Sequence, residues 1–134
     1  MLHKRSMFAL IALATLLTFV AGCASKTTPI PTPSPSTGGN NITVTASGMA
    51  FDTSTITVSA GAHITITFQN NDSGIPHNIA FYTSTAATTI IYQGARTTGV
   101  ATVTYTFDAP TTPGTYFFRC DVHPATMMGD FIVQ

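Results

Sequence analysis

An all-β fold, a Greek-key β-sandwich of about seven to eight strands, is predicted by three features of this sequence. Charged residues make up only 7% of the 134 positions and Glu is absent, whereas Thr, Ser, Val, Ile, Phe and Tyr are plentiful. That balance fits pleated, half-buried strands better than helices. Short runs alternate apolar and polar residues with a period of two, and clusters of Gly, Pro, Asn and Ser separate them at close intervals. The length suits one domain, and a hydrophobic fraction of 44% is enough to supply its core. The formal net charge is zero, which argues against nucleic acid or a polybasic membrane patch as partner.

The N-terminal segment reads as something other than fold. Lys4 and Arg5 precede an apolar run, MFALIALATLLTFVA (residues 7–21), which is shorter than the roughly 20 residues a membrane span requires. Val20, Ala21 and Gly22 lead into Cys23, and this stretch resembles the lipobox of bacterial lipoproteins. The resemblance implies a signal peptide over residues 1–22, cleavage before Cys23 and acylation of that residue. The protein would then be an extracytoplasmic, membrane-anchored lipoprotein on a periplasmic or cell-surface face. An ordinary secretory signal and an uncleaved anchor are the alternatives. Several acyl chains hold a protein on a bilayer where one holds it marginally. After processing, Lys26, Arg96 and Arg119 face five Asp carboxylates, a net charge of −2.

Lipidated Cys23 and the Pro/Ser/Thr-rich stretch after it form a linker, residues 23–41. Pro29, Pro31, Pro33 and Pro35 favour polyproline II, and Gly38 and Gly39 follow them. At about 3.1 Å per residue, residues 24–41 reach at most about 55 Å from the lipid. Either a tether that lets the domain meet partners at the membrane or a spacer of no particular length fits this composition.

The domain itself is expected over residues 42–134. Its strands are ITVTA (42–46), STITV (54–58), HITITF (63–68), HNIAFY (77–82), TVTYTF (102–107), TYFFR (115–119) and DFIV (130–133). In HITITF, Ile64, Ile66 and Phe68 share one face and His63, Thr65 and Thr67 the other; Val103, Tyr105 and Phe107 alternate with Thr in the same way. SAGA, NNDSG and APTTPG mark turns. Residues 83–98 carry no regular pattern and are left unassigned.

The chemistry gathers near the C-terminus, in CDVHPATMMG (residues 120–129). Once Cys23 is acylated, Cys120 is the only free thiol in an oxidising compartment, which points to a reactive or metal-bound sulfur. By strand parity Cys120 aligns with Tyr116 and Phe118, and His77 with Ile79 and Phe81, so both aim at the core. A thiolate, two imidazoles from His77 and His123, and a weak thioether make the trigonal donor set with a long axial ligand that suits a blue-copper site. Structural zinc takes four Cys or His ligands and has no use for Met. His63 lies on the Thr-bearing outward face and is expected to be a solvent residue with no metal role.

NNDSGIPHNIAFY and GTYFFRCDVHPATMMGDFIV, with their G-x-P-H-N and Y-x-F-x-C-x-x-H-P patterns, resemble the two ligand segments of the plastocyanin and azurin group of cupredoxins. The resemblance implies one copper ion, cycling between Cu(I) and Cu(II), held by His77, Cys120, His123 and one Met. It also implies that the backbone amide of Asn78 donates to the Cys120 thiolate. Val122 stands where plastocyanins often have Pro, and the Met spacing differs from theirs.

Between the adjacent thioethers, Met127 is the expected axial ligand. Asp130 and Gln134 share parity with Ile132, which leaves Phe131 and Val133 as the core pair, and Met127 is in register with them. The family's M-x-G pattern also selects Met127, with Gly129 two residues on. Met128 is the alternative if the loop winds differently.

Catalysis is not expected. A multicopper oxidase needs a further histidine cluster, yet the mature chain has only His63, His77 and His123; a binuclear centre needs a second Cys in the loop. The expected function is single-electron transfer by a monomer. Its redox partners, a cytochrome or a terminal oxidase or reductase, would dock near His123 among Ile75, Pro76, Pro124, Ala125 and Met128. Copper delivery without electron transfer is the alternative, and an adhesive sandwich would make the donor set a coincidence.

Overall fold

The computed structural model describes residues 36–37 and 39–134. The expected signal peptide, Cys23 and most of the linker lie outside the described residues. Within them all regular structure is β, as expected, and no helix is long and apolar enough to cross a membrane.

Twelve segments appear in chain order: β1 Ser36–Thr37, β2 Asn41–Ser47, β3 Ala50–Phe51, β4 Thr55–Val58, β5 His63–Asn70, β6 Pro76–His77, β7 Ala80–Tyr82, β8 Ile90–Gln93, β9 Thr97–Thr98, β10 Ala101–Asp108, β11 Gly114–Arg119 and β12 Met128–Val133. They form a six-stranded sheet (β1-β4-β12-β11-β7-β8), a four-stranded sheet (β10-β5-β2-β3) and the small ladder β6-β9. The strand count exceeds seven or eight because several are two-residue pieces around the sheet margins.

The period-two reading of the long strands is realised. Ile64, Ile66 and Phe68 are buried between the sheets while His63 is exposed, and on β12 the pair Phe131 and Val133 points inward. Aromatic rings fill the middle: Phe81 lies 4.8 Å from Phe107 and 4.9 Å edge-on from Phe131, and Tyr92 stacks on Phe107. Such pairs add roughly 0.5–1.5 kcal/mol each beyond the area they bury.

Three elements depart from expectation. The run at residues 77–82 is not one strand: β6 ends at His77 and β7 begins at Ala80. Asn78 interrupts it because its side chain is committed to Gly94 and Asp121 rather than facing outward. Residues 83–98 contain β8 and β9, and Ala87 packs with Ala80, Tyr82 and Phe117 over the outer face of the six-stranded sheet. A strand buried on both faces loses its alternation, which is why Phe117 and Phe118 are both inside. Finally, Ser36–Thr37 at the end of the linker pairs parallel to β4, whose outer edge offers unpaired backbone groups.

That pairing sets where the chain enters the fold. β4 also runs parallel to β12, whose first residues follow directly on residues 120–127. Ser36–Thr37 therefore enters the sheet at the end where β12 begins.

Candidate metal centre

Two segments 43 residues apart in sequence converge at that end. β6 delivers His77, and the residues after β11 deliver Cys120, His123 and Met127. The second segment folds back on itself through backbone bonds: the Cys120 amide donates to the Met127 carbonyl at 2.8 Å, and the Met127 amide donates to the His123 carbonyl at 3.1 Å. The loop is closed before β12 starts.

Gly129 permits this closure. A Cβ there would collide with the Ser54 carbonyl oxygen and with the Phe118 ring at 2.6 Å, so the spacing of Gly after the Met pair reflects strand packing.

His77 Nδ1, Cys120 Sγ and His123 Nδ1 face one another. The sulfur lies 3.7 Å from His77 Nδ1 and 4.0 Å from His123 Nδ1, and the two nitrogens are 3.1 Å apart. Metal bonds of about 2.0 Å to nitrogen and about 2.3 Å to sulfur, spread in a plane, would put the nitrogens about 3.5 Å apart and each about 3.7 Å from sulfur. The observed triangle agrees within about half an ångström, so this donor set fits one first-row ion. Among the described residues these three form the group of Cys, His and carboxylate side chains close enough to share a metal.

His77 and Cys120 are fully buried and His123 is partly exposed. The Met pair divides cleanly: Met127 is 0% exposed and packs in the core cluster with Cys120, whereas Met128 is 45% exposed. Parity anticipated this inward turn of Met127.

The far side of each segment is tied down. Asp72 Oδ2 lies 2.9 Å from His77 Nε2, and the Asp72 carboxylate also accepts from the Gly48 amide at 2.6 Å and the Met49 amide at 2.9 Å. Those bonds from Met49 and Gly48, and then His77, hold the Asp72 carboxyl below its ordinary pKa. An ionised carboxylate only accepts, so Nε2 carries the proton and Nδ1 presents its lone pair toward Cys120.

Asn78 works through its side chain. Its Oδ1 accepts from the Asp121 amide at 2.8 Å, and its Nδ2 donates to Asp121 Oδ2 and to the Gly94 carbonyl, both at 3.1 Å. These side-chain bonds tie the two loops together. Asp121 further accepts from Tyr82 at 2.6 Å, Gln93 at 2.6 Å and Arg119 at 3.0 Å. Burial pushes its carboxyl up, but the bonds from Tyr82, Gln93, Asn78 and Arg119 outweigh that and bring its pKa to about 2.

Beside His123 opens a pocket of ≈ 500 Å³ lined by Gly48, Met49, Val122, His123, Pro124, Ala125 and Thr126. Pro124 and Ala125 were expected here. Gly48 and Met49 were not, because a short turn between β2 and β3 carries no pattern that announces its place. Asp72 was missed for the same reason: in NNDSG it reads as a turn residue. His63 stays at the surface, 2.7 Å from Asp108, away from the metal-competent cluster.

The model of the cupredoxin-like domain matches residues 9–133. The chain belongs to the cupredoxin-like family. Similar structures agree with the assignment. Auracyanin from the photosynthetic bacterium Roseiflexus castenholzii, in its dithionite-reduced form, is 28% identical, covers 73% of this cupredoxin and 99% of its own chain, and has a TM-score of 0.66. Auracyanin A, a "blue" copper protein of Chloroflexus aurantiacus, is 29% identical over 73% of this chain and 100% of its own, with a TM-score of 0.63. Amicyanin from Paracoccus versutus is 26% identical, covering 69% and 80%, with a TM-score of 0.51. A comparison with curated proteins finds no match.

Proposed function

We propose that this cupredoxin binds one copper ion through His77, Cys120, His123 and, axially, Met127, and that it carries single electrons between redox proteins. The observation that carries the reading is the triangle of two Nδ1 atoms and one Sγ, 3.1 to 4.0 Å on a side, with a buried thioether in the same loop. When bound, copper supplies a one-electron couple for which the sulfur donors favour Cu(I) and the imidazoles accept Cu(II).

The protein's part is to hold that donor set still. The Asn78–Asp121 bonds fix the two segments against each other, and Asp72 fixes the His77 ring. Burial of His77, Cys120 and Met127 keeps water from the inner donors. His123, partly exposed beside the pocket, is the point at which a partner comes nearest. A small apolar surface of this kind suits brief, weak encounters with a cytochrome or a terminal oxidase or reductase. Copper delivery is the second reading, and the full burial of three of the four donors weighs against it, since rapid metal exchange needs access. A monomer without catalytic activity completes the proposal.

Cleavage after residue 22 and acylation of Cys23 would place the carrier on the outer side of a membrane. A Pro-rich tether over residues 24–41 would span at most about 55 Å if extended as polyproline II. Ser36–Thr37 pairs with β4 near the end of the sheet that bears the candidate centre, which favours partners at the membrane surface.

The test is to load the protein with Cu(II). An intense blue colour, a small-splitting type 1 EPR signal and reversible one-electron voltammetry are expected, and Cys120→Ser should lose the colour because the visible band needs sulfur-to-copper charge transfer. Colourless protein with ordinary tetragonal EPR, or a blue serine variant, would reject the site.

A further inference from the structure

We propose that Asp72 is a positioning residue that links the wall of the His123 pocket to the candidate ligand His77 and sets the balance between the two copper oxidation states. The inference rests on the copper-carrier reading above and adds to it a residue outside the donor set. One carboxylate spans two structures here. Toward the interior it meets Nε2 of the fully buried His77 at 2.9 Å. Toward the surface it accepts the Gly48 and Met49 amides at 2.6 and 2.9 Å, and these two residues line the pocket beside His123.

The turn is shaped for this contact. Gly48 and Met49 both have positive φ, 62° and 58°, and for Met that conformation is uncommon. Successive left-handed residues aim adjacent amides at one carboxylate, and the bonds to Asp72 offset the strain that Met49 bears. From the other side, Asn70 Oδ1 accepts the Asp72 amide at 3.0 Å while its Nδ2 donates to the Ile75 and Thr97 carbonyls. Asp72 is therefore fixed in both backbone and side chain, a few residues ahead of the ligand that it orients.

Two consequences follow. The negative charge next to the His77 ring favours the more highly charged metal ion, so Asp72 lowers the reduction potential. The same bond locks the tautomer in which Nδ1 is free to ligate, so Asp72 also improves metal retention. An outer-shell partner of a ligating His is typically worth about 10–100-fold in affinity.

Two variants of the full-length protein separate these effects from a purely structural role. Asp72→Asn removes the charge and, with its oxygen at the Oδ2 position, still accepts from the Met49 amide and His77 Nε2, giving up only the Gly48 bond. At a fixed applied potential its ratio of reduced to oxidised protein should rise about tenfold, equivalent to an upward shift of 59 mV for a one-electron couple, with the blue band retained. Asp72→Ala should bind Cu(II) about 10–100-fold more weakly in competition titrations. In metal-free wild type, ¹⁵N-edited spectra should show the His77 proton on Nε2 and slowly exchanging, and Asp72→Ala should lose that slow exchange. A wild-type potential in Asp72→Asn, or a His77 proton on Nδ1 in the metal-free protein, would overturn the proposal. Failure of the wild type to turn blue would instead count against the copper reading, while the metal-free spectra would still decide whether Asp72 holds the ring.

Discussion

Asn78 and Asp121 grip each other in both directions: the Asp121 amide donates to Asn78 Oδ1 at 2.8 Å, and Asn78 Nδ2 donates back to Asp121 Oδ2 at 3.1 Å. Asn78 follows His77, and Asp121 follows Cys120. The pair therefore fixes the separation of the two segments by side-chain bonds set one residue beyond each proposed ligand. Asn78 is almost fully buried, so water is poorly placed to replace either bond.

Truncating this clamp should be costly even without metal. Asn78→Ala strands the Asp121 amide and the Gly94 carbonyl, and each buried unsatisfied group costs about 1–3 kcal/mol. Denaturant unfolding of the metal-free variant is expected to show a loss of roughly 2–4 kcal/mol. A loss below about 0.5 kcal/mol, the range of ordinary surface changes, would mean that the segments are held by something else.

Asp121 predicts a specific acid sensitivity. Its folded pKa of about 2 lies below the ordinary value of 3.8, so its stabilising effect is fully present above pH 3.8 and is lost as pH falls toward 2. The shift corresponds to about 2 kcal/mol. Unfolding curves of metal-free wild type and Asp121→Asn, taken across that window, should converge as pH falls. A constant gap between them would contradict the assignment.

The adjacent thioethers are separated by burial. Met127→Leu exchanges a core side chain for one of similar volume, which should cost less than about 1.5 kcal/mol. If Met127 is axial, the variant stays blue and its potential rises, because Cu(II) loses more than Cu(I) when a weak donor leaves. Met128→Leu, on an exposed side chain, should leave potential and spectrum almost unmoved. Voltammetry of both variants decides the matter; a large shift for Met128→Leu alone would reverse the assignment.

Anchoring has its own test. A fatty-acid analogue supplied to cells should label wild-type protein and miss Cys23→Ser, which should be either uncleaved or released. Equal labelling of the two would exclude Cys23 as the lipid site.

Features that depend on chain-local periodicity and residue chemistry are legible in the sequence. Alternation in HITITF and TVTYTF places Ile64, Ile66, Phe68 and Phe107 inside, and the parity of Phe131 and Val133 carries Met127 inward with them. Cys, His and Met crowded into ten residues, with a second His in NNDSGIPHNIAFY, announce a soft-metal donor set before any coordinates. What supports that set emerges only once the strands are packed. Asp72 reads as a turn residue, Gly48 and Met49 as a short connection, and Asp121 counts only toward the net charge; each acquires its role from strands that are distant in sequence. The breaks at Asn78 and in residues 83–98 were hidden for a related reason. Residues 83–98 are mostly exposed and have no buried face to alternate with, and a side chain that bonds across a fold leaves no signal in its neighbours. Periodicity records which face a residue takes, whereas the partner across the gap is fixed by how the sheets pack.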